Sequence, residues 1–367
     1  MLDVCEQSPT YIRAIAPYQP GKPISELARE MGLVEADIVK LASNENPLGV
    51  SPLARAAIAG ALGELARYPD GNGFELKQAL AAHYDVEQER IVLGNGSNDV
   101  LELVARAFLA PGTSAVMSQH AFAVYPLATQ GAGAEKLEVA AKDFGHDLDA
   151  MAGAVRGDTR VLWIANPNNP TGTFAAPGDV RALLARVPAR VVVVLDEAYN
   201  EYLPDDLRVD TTRWLAAFPN LVITRTFSKA YGLAGLRVGF ALAHPDVADL
   251  MNRVRQPFNV GTLSQVAAVA ALADSEFVAR SRALNDAGMR QIRAGLVALG
   301  LEFIPSSGNF LSFRCGAAGQ VYQRLLRQGV IVRPVSGYGM PEHLRVSIGL
   351  EAENARFLSA LRTALHA

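Results

Sequence analysis

Short apolar runs recur along this chain at the spacing of strands, and alanine- and leucine-rich stretches with helical periodicity separate most of them. Arg90-Ile91-Val92-Leu93, Ala115-Val116-Met117, Glu135-Lys136-Leu137-Glu138-Val139, Val161-Leu162-Trp163-Ile164-Ala165, Val191-Val192-Val193-Val194-Leu195, Leu221-Val222-Ile223-Thr224 and the segment from Arg237 to Leu242 make seven candidate strands. The valine run is apolar at every position, which requires both faces of its sheet to be covered. Helices are expected over residues 52–62 and 75–84, after Ser97 with Leu101, Val104, Ala105 and Phe108 on one face, and after Ser25 as a cap. The pattern predicts an α/β fold with a seven-stranded, mostly parallel sheet covered by helices.

Beyond residue 265 the texture changes. A long helical region runs through Val266, Phe277, Ile292 and Leu296. Shorter strand-like pieces follow at Glu302–Ile304, Phe310–Phe313, Gly329–Val332 and His343–Ile348, with helices at residues 320–328 and 351–365. This reads as a smaller α/β domain over residues 266–367, beside a large domain over 41–265 and a mixed N-terminal segment, 1–40.

Polar clusters stand where the strands end. Gly94-Asn95-Gly96-Ser97-Asn98 follows the first strand, Asn166-Pro167-Asn168-Asn169-Pro170-Thr171-Gly172 the Trp163 strand, Asp196-Glu197-Ala198-Tyr199 the valine run, and Ser228-Lys229 the Ile223 strand. Open α/β sheets bind ligands outside the carboxyl ends of their strands. The glycine turn lacks the third glycine of a dinucleotide fingerprint, because Asp99 holds that position. It reads either as a plain strand-to-helix turn or as a one-phosphate cradle at a helix N-terminus. The loop Asn44-Glu45-Asn46-Pro47 is either a structural turn or a ligand contact. Lys229 alone has three readings: a salt-bridged structural lysine, a phosphate binder, or a Schiff-base former.

Bulk composition narrows the choice. A net charge of -3 gives no basic footprint for nucleic acid. The two cysteines, Cys5 and Cys315, are far apart and form no metal or disulfide pattern, and no metal site is expected from the six scattered histidines. The N-terminus lacks a secretory signal pattern and no apolar run reaches membrane-spanning length, so a cytoplasmic protein is expected.

Taken together, the strand-end groups suit pyridoxal 5'-phosphate. Lys229 is the candidate Schiff-base former and Asp196 the partner of a pyridine nitrogen. Asn166 and Tyr199 are the candidates for a phenolic oxygen. Ser97, Asn98, Ser228 and Arg237 are the candidates for a phosphate.

These stretches, with the loop at Asn44, resemble the fold-type I pyridoxal-phosphate aminotransferases over nearly the whole chain. Within that superfamily, Arg67-Tyr68-Pro69, Ser307-Gly308-Asn309-Phe310 and the pair Arg333 and Arg345 resemble the histidinol-phosphate aminotransferases. The resemblance implies that the N-terminal segment, 1–40, packs with the small domain, and a homodimer in which Tyr68 reaches the cofactor phosphate of the partner subunit. It implies that Phe122 stacks on the cofactor ring, and that Arg345, Arg333, Tyr18 and Asn44 bind substrate. It implies exchange of an amino group between L-histidinol phosphate and 2-oxoglutarate, giving imidazole acetol phosphate and glutamate in histidine biosynthesis. Aromatic amino acid transamination and threonine-phosphate decarboxylation on the same scaffold are the neighbouring alternatives, and a cofactor-binding module without catalysis a more distant one. His120 is read as structural.

Overall fold

A computed structural model describes residues 2–366. Among these residues twelve strands form: β1 (Val39–Lys40), β2 (Ile91–Gly94), β3 (Ser114–Ser118), β4 (Glu135–Val139), β5 (Thr159–Ala165), β6 (Val192–Asp196), β7 (Leu221–Thr226), β8 (Gly239–Ala243), β9 (Phe310–Arg314), β10 (Val330–Ile331), β11 (Arg333–Pro334) and β12 (His343–Ser347). Seven of them build one sheet in the order β2-β8-β7-β6-β5-β3-β4. Only β8 runs against its neighbours in that sheet.

The uniformly apolar strands are explained by two separate cores. Successive strand residues point to opposite faces. Leu162, Ile164, Val193, Leu195 and Ile223 therefore enter one core, while Val161, Trp163, Val192, Val194 and Val222 enter the other. Helices Pro177–Arg186 and Phe74–Tyr84 cover the first face through Val180, Leu183, Leu184, Leu76 and Leu80. Helices Ser97–Phe108 and Val124–Gly131 cover the second through Leu101, Val104, Tyr125 and Ala128.

The smaller lobe is an antiparallel sheet, β11-β12-β9, packed on helices Ser275–Ala298, Ala318–Arg327 and Glu351–His366. Its core holds Met289, Ile292, Val321, Leu325, Phe357 and Leu361. β1 pairs in parallel with β10 and so draws the early chain into this lobe. Helix Ile24–Met31 adds Leu27 and Ala28 against Leu326 and Ile331. Further upstream, the carbonyl of Tyr11 accepts a bond from Gln130 Nε2 of the large lobe at 3.0 Å.

Several boundaries differ from the sequence reading. Ser25 is inside its helix, whose N-cap is Pro23. Glu302–Ile304 lies along the free edge of β9 but makes only one isolated bridge, Phe303 to Phe313, with Ile304 N donating to the Ser312 carbonyl and Arg314 N to the Glu302 carbonyl, both at 2.9 Å. Gly329–Val332 gives β10, and the chain then turns into β11. The last strand of the large sheet starts at Gly239; Arg237 precedes it in a left-handed conformation, φ 54°. The long helical region is two helices, Thr262–Ala273 and Ser275–Ala298, broken at Asp274, whose side chain accepts from Phe277 N at 3.1 Å. Ala267, Ala268 and Ala271 belong to the core of the large sheet, so the expected boundary at residues 265/266 falls within a large-lobe helix. We propose that the chain changes lobe at Asp274.

Candidate active site

The carboxyl ends of β5, β6 and β7 open on a cavity of about 200 Å³ at the junction of the lobes. Lys229, Asp196, Tyr199, Ser97, Asn98, Phe122, Ser228, Arg237, Arg345, Arg333, Tyr18 and Asn44 all line it. These positions span the chain from residue 18 to residue 345, and it is the sheet order that brings them together.

Lys229 follows β7 directly. Its Nζ donates to the Ser43 carbonyl at 3.2 Å, and among the described residues no carboxylate lies within ion-pair distance of it. Burial, aided by the positive field of Arg345, lowers its pKa to about 8. Asp196 is the last residue of β6. Burial raises its pKa to about 6. Tyr125 donates its hydroxyl to Asp196 Oδ2 at 2.8 Å, while Oδ1 is buried without a hydrogen-bond partner. Tyr125 is itself fixed by a parallel stack on Trp163, ring centroids 5.3 Å apart. Phe122 stands edge-on to Tyr125 at 5.8 Å.

Asn44 joins the two lobes, with φ 55°. Its Nδ2 donates to the Tyr199 hydroxyl at 2.9 Å, and its Oδ1 accepts from Ser347 Oγ at 2.9 Å. Burial raises the Tyr199 pKa to about 12, so this hydroxyl keeps its proton.

At the other end of the cavity the helix Ser97–Phe108 begins, with Gly96 as its N-cap. A β-carbon on Gly96 would lie 2.3 Å from Arg237 Nη2, and one on Gly239 would lie 2.4 Å from Ser97 N. Gly239 is therefore required by close approach to backbone, and Gly96 by its φ of 79°. Arg237 Nη1 donates to Ser228 Oγ at 3.2 Å. Asp99, where a dinucleotide fingerprint has glycine, accepts from Asn95 N at 2.8 Å and Asn259 Nδ2 at 2.7 Å and so holds the turn.

Arg333 and Arg345 are register partners on β11 and β12. Arg345 is buried. It donates to the Ala42 carbonyl at 2.7 Å and to Asn169 Oδ1, and its Nε has no partner. Burial lowers its pKa. Arg333 donates to the Gln19 carbonyl at 2.6 Å and lies 5.2 Å from the Tyr18 ring centroid. Among the described residues neither guanidinium has a carboxylate within ion-pair distance.

Of the two remaining residues, Asn166 was expected in this cavity and Tyr68 in that of the partner subunit. Asn166 turns away from the cavity. Its Nδ2 donates to the Ala175 carbonyl at 3.0 Å and its Oδ1 accepts from Ala175 N at 2.8 Å. Asn169, three residues on in the same loop, lines the cavity instead. Tyr68 lies outside it, 82% exposed and stacked on Phe258 at 4.7 Å. Thr226, Ser43 and Pro167 also line the cavity and had no distinguishing sequence signal beyond proximity to the motifs. Among the described residues, no group of three or more His, Cys, Asp or Glu side chains is placed to hold a metal.

The donor set fits pyridoxal phosphate. A buried carboxylate oxygen without a partner suits a protonated ring nitrogen. A lysine of lowered pKa suits an aldehyde, and a helix start flanked by a serine and an arginine suits one phosphate.

Comparison with known proteins agrees. Residues 36–361 match the family aminotransferase class I and II. Histidinol-phosphate aminotransferase 2 of Nitrosospira multiformis is 64% identical over 99% of this chain and 93% of its own. The crystal structure of histidinol-phosphate aminotransferase from Sinorhizobium meliloti, in complex with pyridoxal-5'-phosphate, superposes with a TM-score of 0.90 at 28% identity, covering 98% of both chains. L-threonine-O-3-phosphate decarboxylase of Porphyromonas gingivalis shares the fold at a TM-score of 0.79 and 24% identity, over 90% of this chain and all of its own. The chain belongs to the aminotransferase class I and II family.

Proposed function

We propose that this enzyme transfers the amino group of L-histidinol phosphate to 2-oxoglutarate, releasing imidazole acetol phosphate and glutamate, in histidine biosynthesis. The observation that carries the substrate assignment is the pair Arg333 and Arg345, two cations without acid partners that open on the cavity of Lys229 and Asp196. Histidinol phosphate has a phosphate monoester where an amino acid has its carboxylate. Guanidinium forks bind both anions, so one pair serves both half-reactions. The relatives named above support the same reading.

Pyridoxal phosphate, when bound, supplies an aldehyde that captures the amino group and a ring that accepts the electron pair of the substrate's amine-bearing carbon. Asp196 Oδ1 would hold the proton of the ring nitrogen. Ser228, Arg237 and the first amides of the helix at Ser97 would hold the cofactor phosphate. Phe122 would stack on the ring, and Tyr199 and Asn169 would hydrogen-bond at its phenolic oxygen. Lys229 Nζ, with a pKa of about 8, is neutral often enough near neutral pH to act as nucleophile and to take the proton from the substrate carbon. Asn44 keeps the Tyr199 hydroxyl oriented. Tyr18, half exposed beside Arg333, covers the substrate.

The enzyme works as a homodimer in the cytoplasm. Leu62, Leu65, Tyr68 and Phe74 are all exposed, an apolar stretch that suits burial by a second copy; in such a dimer Tyr68 would reach the partner's cofactor phosphate. Among the described residues no helix is long and apolar enough to cross a membrane.

The test is a single-turnover half-reaction on cofactor-loaded enzyme, following loss of the cofactor's absorbance band. Conversion at low histidinol phosphate, with histidinol far weaker, is the expected result. Preference for phenylalanine, or carbon dioxide release from threonine phosphate, overturns the substrate assignment and leaves the fold in place.

A further inference from the structure

His120 stands two residues before Phe122 and just after β3, with φ 57°. A left-handed backbone is uncommon away from glycine, though histidine tolerates it better than most. Three contacts fix the residue there. Its carbonyl accepts from Asn168 Nδ2 at 3.1 Å, within the loop that carries Asn169. Its ring Nδ1 bonds to the carbonyl of Tyr338. Its ring also lies 5.9 Å from that of Phe144, which meets the ring of His343 edge-on at 5.5 Å.

Tyr338 lies within the connection from β11 to β12, the strands that carry Arg333 and Arg345, and His343 is the first residue of β12. His120 thus holds the middle of that connection directly, and its β12 end through Phe144. The turn fits closely: a β-carbon on Gly339, itself at φ 73°, would lie 3.5 Å from the His120 ring. None of these contacts includes a group assigned to the chemistry above.

We propose that His120 is a positioning residue: its bond to Tyr338 sets the distance between the Arg333–Arg345 pair and the cofactor end of the cavity. In this role Nδ1 carries the proton and the Tyr338 carbonyl accepts it. The ring does not touch substrate. It fixes where the substrate's anionic group rests relative to Lys229. The inference rests on the aminotransferase reading of the site.

The test compares cofactor-loaded wild type, His120→Ala and His120→Asn. Asparagine tolerates the left-handed backbone and can donate from Nδ2 to the same carbonyl. For His120→Ala the expected result is a KM for the amino donor raised about fivefold to tenfold, the worth of one hydrogen bond, with kcat within about twofold. The dissociation constant for inorganic phosphate should rise in parallel. Amide exchange over residues 336–343 should quicken, while the cofactor's absorbance stays unchanged. His120→Asn should recover most of the KM and the exchange protection.

Unchanged KM and exchange in His120→Ala overturn the proposal. So does an asparagine variant as impaired as alanine, or a loss of cofactor affinity that accounts for the whole effect. If wild type proves to prefer another amino donor, the substrate assignment falls, and phosphate affinity and exchange still decide the role of His120.

Discussion

Arg333 and Arg345 sit directly opposite each other across the β11–β12 ladder, two like charges in the closest cross-strand relationship a sheet offers. Like charges so placed destabilise an antiparallel pair by roughly 0.2–1 kcal/mol. Both are buried, which adds to the cost. An anion between them removes the repulsion, so the free enzyme is poised to bind one. Arg333→Gln and Arg345→Gln should each lower kcat/KM for histidinol phosphate about 10- to 100-fold, the worth of a charge-assisted hydrogen bond. Activity toward histidinol, expected to be low in the wild type, should change far less. Steady-state kinetics with the two donors checks this, and equal losses on both would show that the arginines do not read the phosphate.

Lys229→Ala should lower turnover by more than about 10³-fold, since it removes nucleophile and proton carrier together. In the cofactor-free wild type, the rate of cofactor capture should climb with pH through about 8 as the amine loses its proton, then level off. Substituting Arg345 by glutamine removes a cation that lowers this pKa, so the midpoint should move upward. Stopped-flow absorbance at a series of pH values gives the midpoints. A midpoint unmoved by the arginine substitution would assign the lowered pKa to burial alone.

Asp196 has the opposite linkage. Its folded pKa of about 6 lies above the ordinary value of 3.8, so the folded cofactor-free protein binds this proton more tightly than the unfolded chain. Stability from this group is full below pH 3.8 and is lost as pH rises through about 6. Asp196→Asn removes that loss and can still accept from Tyr125. The cofactor-free variant should be more stable than wild type at pH 7.5, by about 1–3 kcal/mol. The difference should vanish below pH 4, and the variant should be catalytically crippled. Denaturant unfolding at both pH values measures it; a variant less stable than wild type at pH 7.5 would refute the idea of a carboxylate held at a cost.

Asn166 and Asn169 should separate stability from activity. Asn166→Ala leaves the amide and carbonyl of Ala175 without their partners and should cost about 2–4 kcal/mol. Asn169→Ala should cost less than about 1 kcal/mol but slow the half-reaction about 10- to 100-fold, because Asn169 meets Arg345 inside the cavity. Thermal unfolding and single-turnover rates on both variants test the division.

That pair also shows where the sequence stops being informative. The loop from Asn166 to Gly172 announces itself through its position after an apolar strand, but three asparagines in four positions carry no mark of which one faces inward. The outcome depends on the backbone of Ala175, nine residues on. The valine run predicted a doubly covered sheet because only burial on both faces explains a strand with no polar side. The lysine and aspartate were legible for a related reason: an ionisable group at the end of a buried strand needs a purpose. The two-residue strand β1 was not legible, since Val39 and Lys40 pair with residues nearly three hundred positions away and have no local pattern. Glu302–Ile304 failed in the other direction: a plausible apolar alternation found only one bridging partner.

The parallel pairing of β1 with β10 also bears on the order in which the enzyme is made. Val39 leaves the ribosome roughly 290 residues before Val330, a delay of tens of seconds at ordinary rates of synthesis. Through that interval the large sheet can form, but the segment from β1 to Asn44 has no finished lobe to enter. Asn44 then waits for Ser347, made 303 residues later. The site is therefore completed only after the large sheet, and a chain stalled before β12 holds Lys229 in a folded large lobe without Arg345 to grip a substrate.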